Sequence, residues 1–220
     1  MFLTLKNINF GYTKNNFILQ NLNIEISKDE ITAIIGDNGS GKTTIGKLMA
    51  GILKPNSGKV MIDGNDIKNI SLGEIGKNIG YLFQEPSCQI FAPSVREELS
   101  FVMDLKEVPI DIINDKVDTM LNLFHIKHLE NANTFVLSRG EKQRLALGAI
   151  LINQPTFLIL DEPTTGLDMM RKNSFSKIVE KLKVQGIGMV LISHDEDFVE
   201  AHADRIVELS NGRIMHDSKT

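Results

Sequence analysis

The sequence predicts an α/β chain: a mostly parallel sheet, an antiparallel β-subdomain at its N-terminal end and an inserted α-helical subdomain. Three observations carry this. Short aliphatic and β-branched runs such as "ITAIIG" (31–36) and "TFLIL" (156–160) alternate with segments of helical period. The segments 2–10 and 17–26 instead alternate apolar and polar residues with period two. Residues 94–153 keep a mostly helical pattern with no strand between.

Taken in order, 2–10 and 17–26 read as two half-buried antiparallel strands, and 31–36 as a strand buried on both faces. A helix follows the glycine-rich loop. Its Ile45, Leu48, Met49 and Ile52 fall at i, i+3, i+4 and i+7, and "KPNSG" closes it. "KVMID" and "IGYLF" (79–83) are further strands. "IDIINDKVDTMLNLF" places Ile110, Ile113, Val117, Leu121 and Phe124 on one helix face. The β pattern resumes at 156–160, followed by a long helix near 171–185, the strand "IGMVLI" (187–192) and small strands at "RIVEL" and "RIM". The expected organisation is one domain over 1–220, with a core of 1–85 and 154–220 and a helical subdomain of 86–153.

Composition narrows the class. The 220 residues are 42% hydrophobic and 24% charged, which suits a globular chain with a sizeable core. A net charge of -4 argues against reliance on non-specific nucleic-acid attraction. The single cysteine, Cys88, permits no internal disulfide, points to a reducing compartment and is expected to be a small apolar filler. No apolar run approaches the roughly 20 residues of a membrane span. "MFLTLKNINF" lacks the pattern of a signal peptide. Any membrane role is therefore expected to come through a partner.

The chemistry concentrates in a few stretches. "GDNGSGKTT" comprises Gly36, Asp37, Asn38, Gly39, Ser40, Gly41, Lys42, Thr43 and Thr44. It matches G-x-x-x-x-G-K-[ST] between a strand and a helix, the context a phosphate loop requires. Glycines let backbone N–H groups turn toward phosphate oxygens, and the helix N-terminus adds its positive end. Lys42 supplies a point charge to the outer phosphates, and the Thr43 hydroxyl suits Mg²⁺. "FLILDEP" (157–163) sets Asp161 and Glu162 at the C-terminal end of a buried strand, where open α/β sheets bind ligands. Asp161 is the expected metal carboxylate and Glu162 the expected general base for an attacking water. His194 in "ISHD" and Gln84 after "IGYLF" also follow strands, within reach of the phosphates or the water. Tyr12 is a candidate to stack on adenine. His125 and His128 lack convergent partners for a metal cage.

"VLSRGEKQRLALGAIL" (136–151) has two readings. Ser138 and Glu141 fit the capping box S-x-x-E, with Leu145, Ile150 and Leu151 as core, and spacing alone favours that account. Alternatively, Gly140 lets an anion approach the helix N-terminus.

Order along the chain bears on the choice. An aromatic, the phosphate loop, a glutamine after a strand, "LSRGEKQR", "LILDEP", "TTGLD" and "ISHD" follow in turn. Over nearly the whole chain this resembles the nucleotide-binding domain of ABC ATPases. The resemblance implies a P-loop NTPase (RecA-like) core and ATP with Mg²⁺ as ligands, with Thr43, Gln84 and Asp161 around the metal. It makes 36–44 the Walker A loop, Tyr12 the adenine-stacking residue, Gln84 the Q-loop glutamine, and Asp161 and Glu162 the Walker B pair. It makes Leu167 and Asp168 part of the D-loop, His194 the switch histidine, and Ser138, Arg139, Gly140 and Glu141 part of the signature. It further implies a head-to-tail dimer, homo- or heteromeric, in which each signature caps the γ-phosphate on the opposite Walker A loop. "FQEPSCQIFAPSVREELSF" (83–101) is similar to the corresponding region of ATPases of energy-coupling factor (ECF) transporters, which import vitamins and transition-metal ions. That likeness implies a peripheral position on the cytoplasmic face, an integral membrane coupling subunit contacted near Gln89, Ile90 and Phe91, and a substrate-binding membrane subunit. ATPases of other ABC importers or exporters, and non-transport ABC ATPases, are the alternatives. The chain departs from the pattern at Arg139 and Glu141, where the family has Gly and Gln, and in stopping soon after "NGRIMHDSKT", before the usual C-terminal extension.

Overall fold

The computed structural model describes residues 1–13 and 16–219. The chain begins with strands β1 (Leu3–Phe10), β2 (Leu19–Ile26) and β3 (Ile31–Ile35), then helix α1 (Lys42–Met49). Next come β4 (Ser57–Ile62), β5 (Asn65–Asp66), α2 (Leu72–Asn78) and β6 (Ile79–Leu82). Three helices follow: α3 (Val95–Leu105), α4 (Ile110–Leu123) and α5 (Arg139–Leu151). The last part holds β7 (Phe157–Asp161), α6 (Met169–Val184), β8 (Gly188–Ile192), α7 (Glu196–His202), β9 (Arg205–Ser210) and β10 (Arg213–Lys219).

One sheet is antiparallel, in the order β2-β1-β4-β5. The other runs β10-β9-β3-β8-β7-β6, parallel from β9 to β6 with β10 antiparallel at its edge. Its central strands are apolar on both faces because both faces are covered. Phe157 and Ile159 of β7 pack with α1 and the antiparallel sheet, whereas Leu158 and Leu160 pack with α3–α6. This sandwich holds the strand ends still, and the parallel strands bring their C-terminal ends to one edge.

Several expectations need correction. α1 stops at Met49, so Ile52 lies outside it and is 37% exposed. Gly51 takes φ 70°, with Ile52 N–H on Lys47 O and Gly51 N–H on Leu48 O, a Schellman end that precedes "KPNSG". Ile110 is 63% exposed, although Ile113, Val117, Leu121 and Phe124 are buried. It is the first residue of α4, and burial of that face begins one turn later at Ile113. Cys88 is exposed rather than a core filler, because its short turn (Pro86–Cys88) buries only the proline. α2 and α7, seven residues each, have too few turns to show a period. β10 extends past "RIM" as a polar edge strand. No helix among the described residues is long and apolar enough to cross a membrane.

Candidate active site

The loop after β3 is shaped by glycine. Gly36 (φ 140°), Gly39 (φ 84°) and Gly41 (φ 108°) turn the backbone in ways L side chains resist. A Cβ on Gly36 would run into the Leu209 carbonyl. α1 then starts with no side-chain cap and no acidic residue in its first turn, whereas α2, α3 and α5 each carry a complete capping box. Its first-turn N–H groups keep their capacity for an anion. The buried Lys42 Nζ donates to the carbonyls of Gly36 (2.6 Å) and Asp37 (3.0 Å), so its charge has only neutral partners. Ser40 Oγ is buried in the loop with no hydrogen-bond partner. Asn38, Gly39, Gly41 and Lys42–Thr44 line a cavity of about 220 Å³ that Gln84 and Glu162 also reach.

Behind the loop stand the strand ends. Asp161, 1% exposed, accepts from Thr43 Oγ1 on Oδ1 and from Tyr81 Oη on Oδ2, both at 3.0 Å. Burial pushes its carboxyl above the ordinary range, opposed by those two hydrogen bonds. Burial, and then the Asp161 charge, push the Tyr81 phenol far up, so it acts as a donor. Glu162 sits at φ 51°, an uncommon conformation for a non-glycine residue, held by its N–H on Ile192 O (2.8 Å). The buried Glu162 Oε2 lies 2.7 Å from His194 Nδ1 and accepts from Thr165 Oγ1 at 3.2 Å. His194 itself is exposed and borders a neighbouring cleft with Thr164–Leu167.

The remaining residues lie around this core. Tyr12 is 60% exposed, edge-on to Phe10 at 5.1 Å, with Oη 3.5 Å from Thr44 Oγ1. Its open face beside the loop suits a planar base. Ser138 caps α5: its Oγ accepts from Glu141 N–H (3.4 Å) and donates to Glu141 Oε2 (2.7 Å), which also accepts from Ser138 N–H (2.8 Å). Those donors hold the Glu141 carboxyl below its ordinary value. Arg139 turns onto its own chain, with Nη2 donating to Gln84 O (3.2 Å) and its stem against Gly166. Leu167 packs beside Gly140, and Asp168 caps α6 through Arg171 N–H. Ser138–Glu141 do not line the phosphate-loop cavity. Of the three residues expected near a membrane partner, Ile90 is buried and Gln89 Oε1 accepts from Phe83 N–H, while Phe91 is 55% exposed against Phe101.

The donor set fits a nucleotide triphosphate and a hard divalent cation. An uncapped helix end and a buried ammonium with neutral partners suit phosphate. A buried carboxylate in no ion pair among the described residues, bonded to the Thr43 hydroxyl at a cavity that Gln84 also lines, suits a metal that takes few protein oxygens and completes its shell with phosphate and water. No cluster of three or more His, Cys, Asp or Glu side chains suited to a metal occurs among the described residues. Sequence reasoning missed Tyr81 and Thr165. A tyrosine inside an otherwise aliphatic strand was the available signal for Tyr81, and the "TT" after "DEP" for Thr165.

Comparison with known proteins agrees. Residues 19–165 match the family model described as ABC transporter. The chain is 37% identical over 216 residues to an energy-coupling factor transporter ATP-binding protein, EcfA2, of Clostridium perfringens, covering 97% of this chain and 76% of that one. It superposes on the structure of cbiO1 from Clostridium perfringens, part of the ABC transporter complex cbiONQ, with TM-score 0.87 and 33% identity over 99% of this chain and 88% of that one. It is also similar to a dimeric ATP-binding cassette in a post-hydrolysis state bound to ADP and Pi (TM-score 0.88, 25% identity, covering 99% and 98%). A Methanosarcina acetivorans relative at 39% identity is longer, and the chain spans 33% of it.

Proposed function

This chain belongs to the ABC transporter family of ATP-binding proteins, and on that premise we propose that it binds and hydrolyses ATP to power a membrane transporter of the ECF type. The convergence of the phosphate loop, Glu162 and Gln84 on one cavity, with Asp161 bonded behind it to Thr43, supports this most directly. In this reading Tyr12 stacks on adenine and the 36–44 loop with Lys42 grips the phosphates. Thr43, Gln84 and Asp161 hold Mg²⁺, which supplies charge neutralisation on the phosphate oxygens. Glu162 accepts a proton from water as the water oxygen bonds to the γ-phosphorus and the bond to the β–γ bridging oxygen breaks. His194 Nδ1 and Thr165 hold the Glu162 carboxylate in place, and the other His194 ring nitrogen serves the γ-phosphate. Catalysis is positioning plus electrostatics.

The signature contributes in trans. Ser138 and Gly140 are turned away from their own phosphate loop and meet the partner's, in a homo- or heterodimer whose D-loops carry Leu167 and Asp168. Closure and reopening drive an integral membrane subunit at the cytoplasmic face, with Phe91 and Phe101 on the contacted side. Residues 86–153 act as the subdomain that carries the signature. The resemblance to ECF ATPases in the 83–101 segment makes a vitamin or transition-metal ion the expected class of cargo.

Glu162→Gln tests the enzyme. Steady phosphate release should fall roughly 10²–10⁴-fold, the contribution of a general base, while ATP binding persists. Gel filtration with Mg-ATP should then show a trapped dimer. A wild type that binds ATP but releases no phosphate, even with copurified membrane proteins, removes the enzyme reading. A variant that stays monomeric removes the shared site.

A further inference from the structure

Asp161 is almost fully buried, both of its oxygens accept hydrogen bonds, and Lys47 attracts it through space without an ion pair among the described residues. Thr43 belongs to the phosphate loop and is itself assigned to the metal, whereas Tyr81 comes from the adjacent strand. We propose that Tyr81 is a positioning residue for the metal carboxylate: its hydroxyl fixes the rotation of Asp161 while leaving the carboxylate charge available to a divalent cation.

Register explains how Tyr81 reaches. In the parallel pair β6·β7, Tyr81 lies opposite Ile159, two residues before Asp161 and on the same face of the sheet. Two residues of strand span roughly 6.6 Å. A phenol leaning along the strand covers that diagonal, and a shorter side chain does not. The ring is held on both sides. Phe83 packs edge-on at 4.8 Å, and Gly46 of α1 lies near the ring, where a Cβ would come into ordinary contact with Tyr81 Cε2 at 3.4 Å. A locked second ligand shell keeps a carboxylate aligned before metal arrives.

The choice of donor matters as much as its place. A lysine or arginine here would form an ion pair with Asp161 and compete with the cation. A phenol satisfies the buried oxygen without neutralising it. Removing the hydroxyl alone leaves Oδ2 without that donor and only the Thr43 bond on Oδ1 to orient the carboxylate.

The proposal rests on the nucleotide–metal reading above, and the test separates the two. Affinity for a non-hydrolysable ATP analogue is measured with Mg²⁺ and again with a chelator, and the ratio isolates the metal's share. In Tyr81→Phe that ratio should fall by about tenfold or more, as for other second-shell losses, with chelator affinity unchanged. Phe83→Leu, which loosens the ring but keeps the hydroxyl, should lower the ratio by less than Tyr81→Phe does. An unaltered ratio in Tyr81→Phe overturns the assignment, as does an equal loss in Phe83→Leu. A wild type whose analogue affinity ignores Mg²⁺ overturns the metal reading itself.

Discussion

Helix α1 begins without a side-chain cap, whereas α5 begins inside a complete capping box. The bonds around them differ in reach as well. Near α1, Thr43 meets Asp161 from 118 residues away, and Tyr81 meets the same carboxylate from 80 residues away. At α5, Ser138 and Glu141 satisfy one another across three residues. The first helix end is prepared by the rest of the chain and left open toward a ligand. The second is closed on itself, so it can meet an anion only by exchanging bonds it already has. A site built of one such half from each of two chains would bind ATP in one chain and act only on closure.

Glycine substitutions should separate the halves most strongly. Gly36→Ala puts a Cβ against the Leu209 carbonyl at φ 140°. Overpacking and backbone strain together should cost roughly 2–6 kcal/mol, seen as a large drop in melting temperature and loss of ATP binding. At Gly140 the nearest neighbours of a Cβ would be Arg171 and Leu167, at 3.5 and 3.6 Å, in ordinary contact. Gly140→Ala should therefore leave single-chain stability within about 1 kcal/mol, with helix propensity slightly in its favour, and ATP binding intact. Turnover should still fall roughly 100-fold, the cost of displacing a reacting group by about 1 Å. Equal loss of single-chain ATP binding in both variants would erase the distinction.

That contrast also marks what the sequence could reveal. The 36–44 loop, Asp161, Glu162, Gln84 and His194 were legible because each follows a buried aliphatic strand, and strand ends in a parallel sheet share one edge. Tyr81 was not, because its role depends on β6 lying beside β7 with Tyr81 opposite Ile159, a pairing no local pattern encodes. Ile52 and Ile110 have the right period and the wrong surroundings: one follows a Schellman turn, the other starts a helix beyond its neighbour's end. For Ser138–Glu141 spacing alone favours the capping box and motif order favours the signature, and the single chain adopts the capping box.

Arg139 tests whether the α5 end is tied to its own chain or aimed outward. Its guanidinium donates to Gln84 O and lies against Gly166, linking the signature to two other loops. Arg139→Ala should cost about 1 kcal/mol or less, the worth of one exposed hydrogen bond. The salt dependence of ATP-driven dimerisation should stay as in the wild type, because the charge faces its own backbone. A flatter salt response in the variant would instead assign the arginine to the partner's phosphates.

Glu141 should give the smallest effect and the finest division. The Ser138 hydroxyl, then the Ser138 backbone N–H, hold its carboxyl below the ordinary value of about 4.3. The native state therefore binds fewer protons than the unfolded chain there. The stabilisation is fully present above about pH 4.3 and is lost as pH falls through the depressed native value. Glutamine can also close a capping box, so Glu141→Gln should lose only about 0.5 kcal/mol at pH 7, the low end for a cap. Melting curves of the two proteins should begin to converge below about pH 4.3 and meet only below the depressed native value. Dimerisation should move the other way. Ser138 Oγ now spends its hydrogen on a carboxylate 2.7 Å away, and a neutral amide releases it more readily to a phosphate. A gain of the same half kcal/mol is worth roughly two- to threefold in ATP-driven dimer affinity. A purely structural cap would weaken both measurements together, so opposite signs are the mark of a helix end that trades its own bonds for the partner's nucleotide.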